Sequence, residues 1–259
     1  QFYEPGHSAY ADERDASLAT LSSYRGQNAN MHTVEALIAA FEATGEARYL
    51  DRADLVANRF TVDLATGADG QIWEHYTADW QHDWTYNIDK PDDLFKPWGF
   101  QPGHQVEWTK LLLQLDAHRP ADWHLATATR LYDTAMDRGW DQDHGGLVYG
   151  YAPDGSFADA HKYFWVQAEA LAAAWRLYTR TGEERYRSDY HRLWGWSWDH
   201  LIDHEHGAWF RITSREGHKV EPYKSPAGKT DYHTMGACWD VLSVMPGAAV
   251  WNATDRKRK

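Results

Sequence analysis

The sequence predicts an all-α fold in which helix hairpins repeat around a central axis, and three observations support this. Ala- and Leu-rich stretches with helical spacing of apolar residues occur in pairs along the chain. Residues 35–49 and 169–186 share one pattern, an apolar helix followed by Thr-Gly-Glu and then Arg-Tyr in a second helix. Each second helix is followed by a Gly-rich turn and a short apolar segment. The repeating unit is therefore an antiparallel helix pair with a decorated loop.

Glycines mark where the first helices end. Gly45 and Gly182 stand where a helix needs a left-handed residue just beyond its C-terminus. We therefore expect second helices near 47–60 and 184–202, and a related unit with its second helix near 121–138. Short extended segments are expected after the Gly-rich turns, at 71–73, 147–149 and 209–212.

The composition excludes several classes of protein. The chain has 259 residues, and 26 basic against 38 acidic residues give a formal charge of −12, which is unfavourable for binding nucleic acid or anionic lipid. No apolar run approaches the roughly 18 residues of a membrane span. The single cysteine, Cys238, excludes a disulfide framework and a Cys-rich zinc site, and we expect a buried thiol on a helix. Without a charged-then-apolar leader after Gln1, we expect a cytoplasmic protein.

Three histidines occupy equivalent positions in the repeat. The second residue of each aligned first helix is His32, His104, Val166 or His233, recurring about every 67 residues. In a toroid of inner and outer helices these positions point toward one axis, so we expect the three histidines to converge. Six such pairs would need about 400 residues, so we expect residues 1–259 to form a single (α/α)n barrel domain that lacks about two N-terminal helix pairs. A shorter complete domain, with residues 8–23 packed against the gap, is the alternative.

The surroundings of His104 favour acid–base chemistry. The residue follows Pro102-Gly103, so it lies in the first turn of its helix, where the helix dipole disfavours a positive imidazole. Glu107 is one turn further on and is expected either to hold this imidazole or to bind substrate hydroxyls, and Glu35 has the same spacing from His32. The alternative for both glutamates is that each caps its own helix.

Histidines around a polar cavity suit proton abstraction beside a carbonyl. One ring would remove the C2 proton of an open-chain sugar, and the other would act on the opposite face or the neighbouring oxygen. The sequence has no Gly-rich dinucleotide or phosphate loop, so no cofactor is expected. Histidines in the Gly-rich turns, at 144, 204 and 206, are expected to be turn residues, and no metal site is predicted.

Four motifs, in order, resemble the N-acylglucosamine 2-epimerase superfamily, and within it the aldose–ketose isomerases that interconvert D-mannose and D-fructose. They are Tyr24-Arg-Gly-Gln-Asn-Ala-Asn-Met-His32, Pro97-Trp-Gly-Phe-Gln-Pro-Gly-His-Gln-Val-Glu-Trp108, Lys162-Tyr-Phe-Trp-Val-Gln-Ala-Glu169 and Asp231-Tyr-His233. The resemblance implies an (α/α)6 barrel, of which this chain would be the C-terminal two thirds, and a monosaccharide substrate. Residues 90–98 would form a loop over the pocket.

The resemblance also implies roles for individual residues. His104 and His233 would be the acid/base catalysts, His32 a substrate-binding or ring-opening residue, and Glu107 a partner in the site. Further substrate-binding positions would be Asn28, Arg25, Trp108, Trp165 and Glu169. An arginine from the family's early helices has no counterpart here.

Other functions remain open at this stage. A sugar 2-epimerase acting on N-acylglucosamine or cellobiose would use the same histidines. An inverting glycoside hydrolase of the same toroidal class would instead need two carboxylates, which Glu35, Glu107 and Glu169 could supply. A sugar-binding toroid without activity is the third possibility, and the sequence does not indicate an oligomeric state.

Overall fold

The computed structural model describes residues 1–224 and 231–245, and in these ranges the protein has seven α-helices. Each predicted helix is present, with ends shifted by a few residues at most. A π-helical turn at Arg59–Asp63 and a 3-10 turn at Leu64–Ala68 extend the second helix. The helices are α1 Gln27–Thr44, α2 Ala47–Asn58, α3 Pro102–His118, α4 Asp122–Gly139, α5 Phe164–Thr181, α6 Glu184–His200 and α7 Tyr232–Val244.

The helices form two layers, as the repeat predicts. Consecutive helices pack as hairpins, and the odd-numbered helices also pack on one another in the order α1, α3, α5, α7. Most side chains of α3 and α5 are buried, which is typical of helices in the interior of a domain, whereas α2, α4 and α6 each bury one face. The odd-numbered helices are therefore the inner layer and the even-numbered helices the outer layer.

The predicted glycine ends are confirmed. Gly45 and Gly182 follow α1 and α5 with φ of 73° and 74°, a left-handed conformation that L side chains rarely adopt. Their amides donate to the carbonyls of Phe41 and Tyr178, which closes the last turn of each helix.

Four short antiparallel strand pairs lie in the loops. They are β1 Tyr3–Glu4 with β2 Ala9–Tyr10, β3 Arg25–Gly26 with β4 His75–Tyr76, β5 Gly150–Tyr151 with β6 Phe157–Asp159, and β7 Lys162–Tyr163 with β8 Ile212–Thr213. The three extended segments expected at 71–73, 147–149 and 209–212 lie one to four residues before the strands β4, β5 and β8. β3 and β7 lead directly into α1 and α5, so these ladders fix the N-terminal ends of two inner helices.

The core is rich in aromatic rings. Trp73, Trp80 and Trp108 are among the largest fully buried side chains. Cys238 corrects one expectation, because it lies on an exposed part of α7 rather than in the core. Within the two described ranges, no helix has the length and apolar character needed to cross a membrane.

Candidate active site

His32, His104 and His233 line one cavity at the N-terminal ends of the inner helices. They lie in the first two turns of α1, α3 and α7, so the convergence expected from the repeat is present. Trp165, at the start of α5, lies between two of them, with its ring 5.1 Å from that of His104 and 5.4 Å from that of His233. The other lining residues are Asn28, Leu94, Phe95, Pro97, Glu107 and Tyr149.

A loop covers this cavity, as residues 90–98 were expected to do. Leu94, Phe95 and Pro97 of this loop contribute to the lining, and the cavity has a volume of about 30 Å³. His75 anchors the loop, since its Nε2 lies 2.8 Å from the Pro97 carbonyl.

His104 is oriented by Glu74, a residue that the sequence analysis did not identify. The His104 Nδ1 lies 2.9 Å from Glu74 Oε2, and the Gln27 amide donates to the same oxygen at 2.9 Å. With the Nδ1 proton donated to this carboxylate, the Nε2 atom remains free to accept a proton. Of the two roles considered for Glu107, holding this imidazole is therefore wrong, because Glu74 does so.

His233 has an equivalent partner in Glu169. Its Nδ1 lies 2.7 Å from Glu169 Oε1, and the Lys110 ammonium donates to Glu169 Oε2 at 2.7 Å. Burial opposes ionisation of this carboxyl, but Lys110 and His233 outweigh it and hold the pKa of Glu169 below its ordinary value. Glu169 thus lies behind His233 instead of lining the cavity beneath the loop.

His32 is the most exposed of the three histidines. Its Nδ1 lies 3.2 Å from Glu35 Oε2 and 3.9 Å from Glu107 Oε1. Burial disfavours the charged ring, yet the bond to Glu35 and the charge of Glu107 outweigh it, so the pKa of His32 is raised. This ring is therefore suited to bind or protonate a sugar oxygen.

Glu107 offers unused acceptors to the cavity. Its side chain is 1% exposed, and neither carboxylate oxygen has a hydrogen-bond partner among the residues that the structure describes. A buried carboxylate without donors is costly, so these oxygens are suited to accept bonds from substrate hydroxyls. In the described chain neither α1 nor α3 has a side-chain cap at its N-terminus, which excludes the capping alternative for Glu35 and Glu107.

Besides Glu169, two residues predicted to bind substrate lie outside the cavity lining. The Arg25 guanidinium is buried against Glu4, with bonds of 2.8 and 2.9 Å to the carboxylate. Trp108 packs in the core on Phe60, and its indole N–H donates to Gln27. Consecutive residues of an α-helix are rotated by about 100°, so Trp108 points into the core, away from the cavity that Glu107 lines. Asn28 and Trp165 do line the cavity, as expected.

Two groups of side chains have the spacing of metal ligands. They share Glu107, one with His32 and Glu35 and the other with Glu169 and His233, and the ligand atoms of each group lie within 4.8 Å of one another. The Lys110 ammonium already lies among these carboxylates, 3.9 Å from Glu107 and 3.9 Å from Glu35. A divalent cation would therefore have to compete with a resident positive charge.

The fold and the site together indicate the class of protein, a helical toroid with histidines that are held by carboxylates at one end of its inner helices. The model of the N-acylglucosamine 2-epimerase family matches residues 1–237, and the chain belongs to this family. The fold is accordingly that of the (α/α)6 toroids.

Within this family, the chain is similar to several D-mannose isomerases. The chain is 54% identical to a D-mannose isomerase of Marinomonas mediterranea, over 94% of this chain and 62% of the relative. It is 35% identical to a D-mannose isomerase of Thermobifida fusca, over 92% of this chain and 59% of that protein. A crystal structure of D-mannose isomerase superposes with a TM-score of 0.92 at 54% identity, covering 94% of this chain and 63% of that one. The chain thus spans about three fifths of the length of these relatives.

More distant structures share the fold alone. A cellobiose 2-epimerase from Spirochaeta thermophila has a TM-score of 0.78 at 23% identity, over 93% of this chain and 60% of that one.

Proposed function

We propose that this protein is an aldose–ketose isomerase that interconverts D-mannose and D-fructose. The observation that carries the proposal is that two imidazoles, each held through Nδ1 by a buried carboxylate, line the same cavity on either side of an indole. The resemblance to D-mannose isomerases at 54% and 35% identity supports the choice of sugar.

The geometry supports a proton-transfer mechanism. Nε2 of either His104 or His233 takes the C2 proton of open-chain mannose, and the C2 electrons form the enediol while O1 gains a proton. Return of a proton to C1, with loss of the O2 proton, gives fructose without any net change in atoms or electrons. Glu107 accepts bonds from sugar hydroxyls, and His32 binds or protonates a ring oxygen during opening.

The carboxylates fit this mechanism better than glycoside hydrolysis. An inverting hydrolase needs an acid and a base that are both free to act. Here Glu169 is bonded to His233 and Lys110, and Glu35 is bonded to His32 and Tyr232.

We also infer a cytoplasmic location, since a single cysteine provides no disulfide framework of the kind that secreted domains use.

The test is to incubate the chain with D-mannose and follow D-fructose by NMR in deuterated water. We expect ketose to form, with deuterium at C1 of fructose or C2 of mannose. A folded chain, judged by circular dichroism, that makes no fructose would overturn the proposal. Turnover of N-acylglucosamine or cellobiose in its place would identify a 2-epimerase.

Substitutions assign the proton transfers. His104→Ala and His233→Ala should each lower kcat by roughly 100- to 10,000-fold, the usual contribution of a general acid or base. His161→Ala is the matched control, because its Nδ1 also lies 2.7 Å from a carboxylate, that of Asp159, but outside the cavity. Full activity in either cavity variant would reject its assignment.

A further inference from the structure

Lys110 is a buried cation in the middle of the inner helix layer. Its side chain is 4% exposed, and its ammonium lies 2.7 Å from Glu169 Oε2 and 3.9 Å from oxygens of both Glu107 and Glu35. A buried ammonium without partners would be strongly destabilising, so its presence here reflects these carboxylates from α1, α3 and α5.

The ionisation states within this cluster are fixed by one another. Burial opposes the charge of Lys110, but the charges of Glu169, Glu107 and Glu35 outweigh it and raise the pKa of Lys110. The same ammonium is the main attractive charge that lowers the pKa of Glu169. Both members of the pair are therefore charged across the ordinary working range of pH.

The carboxylates that hold the two candidate catalytic histidines differ in the charge of their second hydrogen-bond donor. Glu74, which anchors His104, receives its second bond from the neutral amide of Gln27. Glu169, which anchors His233, receives its second bond from an ammonium. Of the two carboxylates, only Glu169 has a charged second donor among the described residues. That donor, Lys110, does not line the cavity, so a substitution can remove its charge without changing the lining.

We propose that Lys110 is a positioning residue for His233: its ammonium holds one oxygen of Glu169, so that the other oxygen accepts the Nδ1 proton of His233 and Nε2 is left as the acceptor for the substrate. This inference rests on the proposed function for its kinetic consequence. Its structural consequence, the state of the His233 ring, is independent of turnover.

Loss of Lys110 should change the pH dependence in a defined direction. Without the ammonium, burial raises the pKa of Glu169, so protonation of Glu169 begins at a higher pH and His233 loses its acceptor there. The acid limb of the kcat profile should therefore move to higher pH. The charged groups that act on Lys110 are the carboxylates of Glu35 from α1, Glu107 from α3, Glu169 from α5 and Asp240 from α7. The titratable rings of His32 and His233 contact Glu35 and Glu169 in turn.

The experiment compares Lys110→Met, Glu169→Gln and the double variant with the unsubstituted chain. Proton NMR of the sugar-free protein should show a downfield Nδ1–H resonance, assigned to His233 by its loss in His233→Ala. We expect Lys110→Met to shift it or make it titrate, while Lys162→Met, which removes a buried lysine bonded to Asp141 at 3.0 Å, leaves it in place. An unchanged resonance in Lys110→Met would overturn the proposal.

Kinetics provide the second readout. Lys110→Met should lower kcat by about 10- to 100-fold, the loss typical when a histidine's orienting partner is removed, with little change in KM. In the Glu169→Gln background the same substitution should have no further effect, since Lys110 acts through Glu169. Additive losses would contradict this.

Two further variants separate a positioning role from folding. Lys110→Arg retains the charge and should recover part of the activity. If Lys110→Met does not fold, the double variant, which removes both members of the Lys110–Glu169 ion pair, carries the comparison with Glu169→Gln. A shifted resonance in a chain that makes no fructose would retain the positioning role and reject only the isomerase.

Discussion

Glu74 and Glu169 orient their histidines from different parts of the chain. Glu169 projects from the inner helix α5, whereas Glu74 comes from a loop, immediately before β4. Both carboxylates are almost fully buried and both accept a second bond from a neighbouring side chain. Each histidine is therefore held in one tautomer by a carboxylate that cannot easily move.

Glu74→Gln tests this arrangement at His104. The amide keeps the size of the side chain, but its N–H₂ group can meet the ring nitrogen as a donor and favour the wrong tautomer. We expect kcat to fall by up to about 10,000-fold, the scale seen when a triad carboxylate becomes an amide, with KM little changed. Steady-state rates with D-mannose provide the measurement. Wild-type kcat in this variant would show that Glu74 has no orienting role.

The three histidines could be predicted from the sequence because they recur at equivalent positions of the repeat. The role of Glu74 could not be predicted in this way. Glu74 lies 30 residues before His104 in a segment with no helical period, so no spacing relates the two. Arg25 shows the opposite error, since its motif matches a family pattern but its side chain pairs with Glu4. A motif gives a residue's position in the chain, and its direction depends on partners that are distant in sequence.

His32 makes the stability of the protein depend on pH. Since folding raises the pKa of this ring, its contribution to the free energy of unfolding is complete below the unfolded pKa of about 6.5 and is lost as pH rises through the folded value. The melting temperature of the unsubstituted chain, minus that of His32→Gln, should therefore be largest near pH 6 and decrease toward pH 9. A difference that stays constant across this range would contradict the assignment.

The approach of α3 to α5 determines the position of the central indole. Gly103 lies one residue before His104, and a Cβ there would be 2.4 Å from Trp165 Cζ3 and 2.9 Å from Val166 Cγ2. The missing side chain thus lets the two inner helices meet closely enough for Trp165 to lie between the histidines. The sequence indicated a first-turn position for this glycine but gave no sign of its neighbour, which is 62 residues away.

Gly103→Ala should displace this indole. Overpacking of this kind costs about 1–3 kcal/mol, and we expect a corresponding loss of stability in urea together with reduced turnover. Gly236→Ala is the matched control, because it also lies on an inner helix, α7, but a Cβ there meets none of the described residues within 4 Å. That variant should be as stable as the parent or slightly more so. Equal effects of the two substitutions would show that contact with Trp165 is unimportant.

The whole molecule brings together helices that are distant in sequence to build one cavity. Its lining comes from α1, α3, α5 and α7, from the loop at residues 90–98, and from Tyr149 just before β5. This arrangement could be predicted in outline, because equivalent positions of a toroidal repeat face a common axis. The partners behind the lining could not, since they depend on how individual side chains fill the space between layers.

A ligand in this cavity should stabilise the inner layer as a unit. D-Mannitol, which has mannose hydroxyls but no carbonyl to react, binds the folded state alone and should stabilise it by about 2.7 kcal/mol at 100 times its Kd. For a chain of this size that corresponds to a rise in melting temperature of about 5–10 °C. Glu107→Gln should reduce the rise at the same mannitol concentration, because the amide replaces one acceptor with a donor. An equal rise in both proteins would place the polyol outside this cavity.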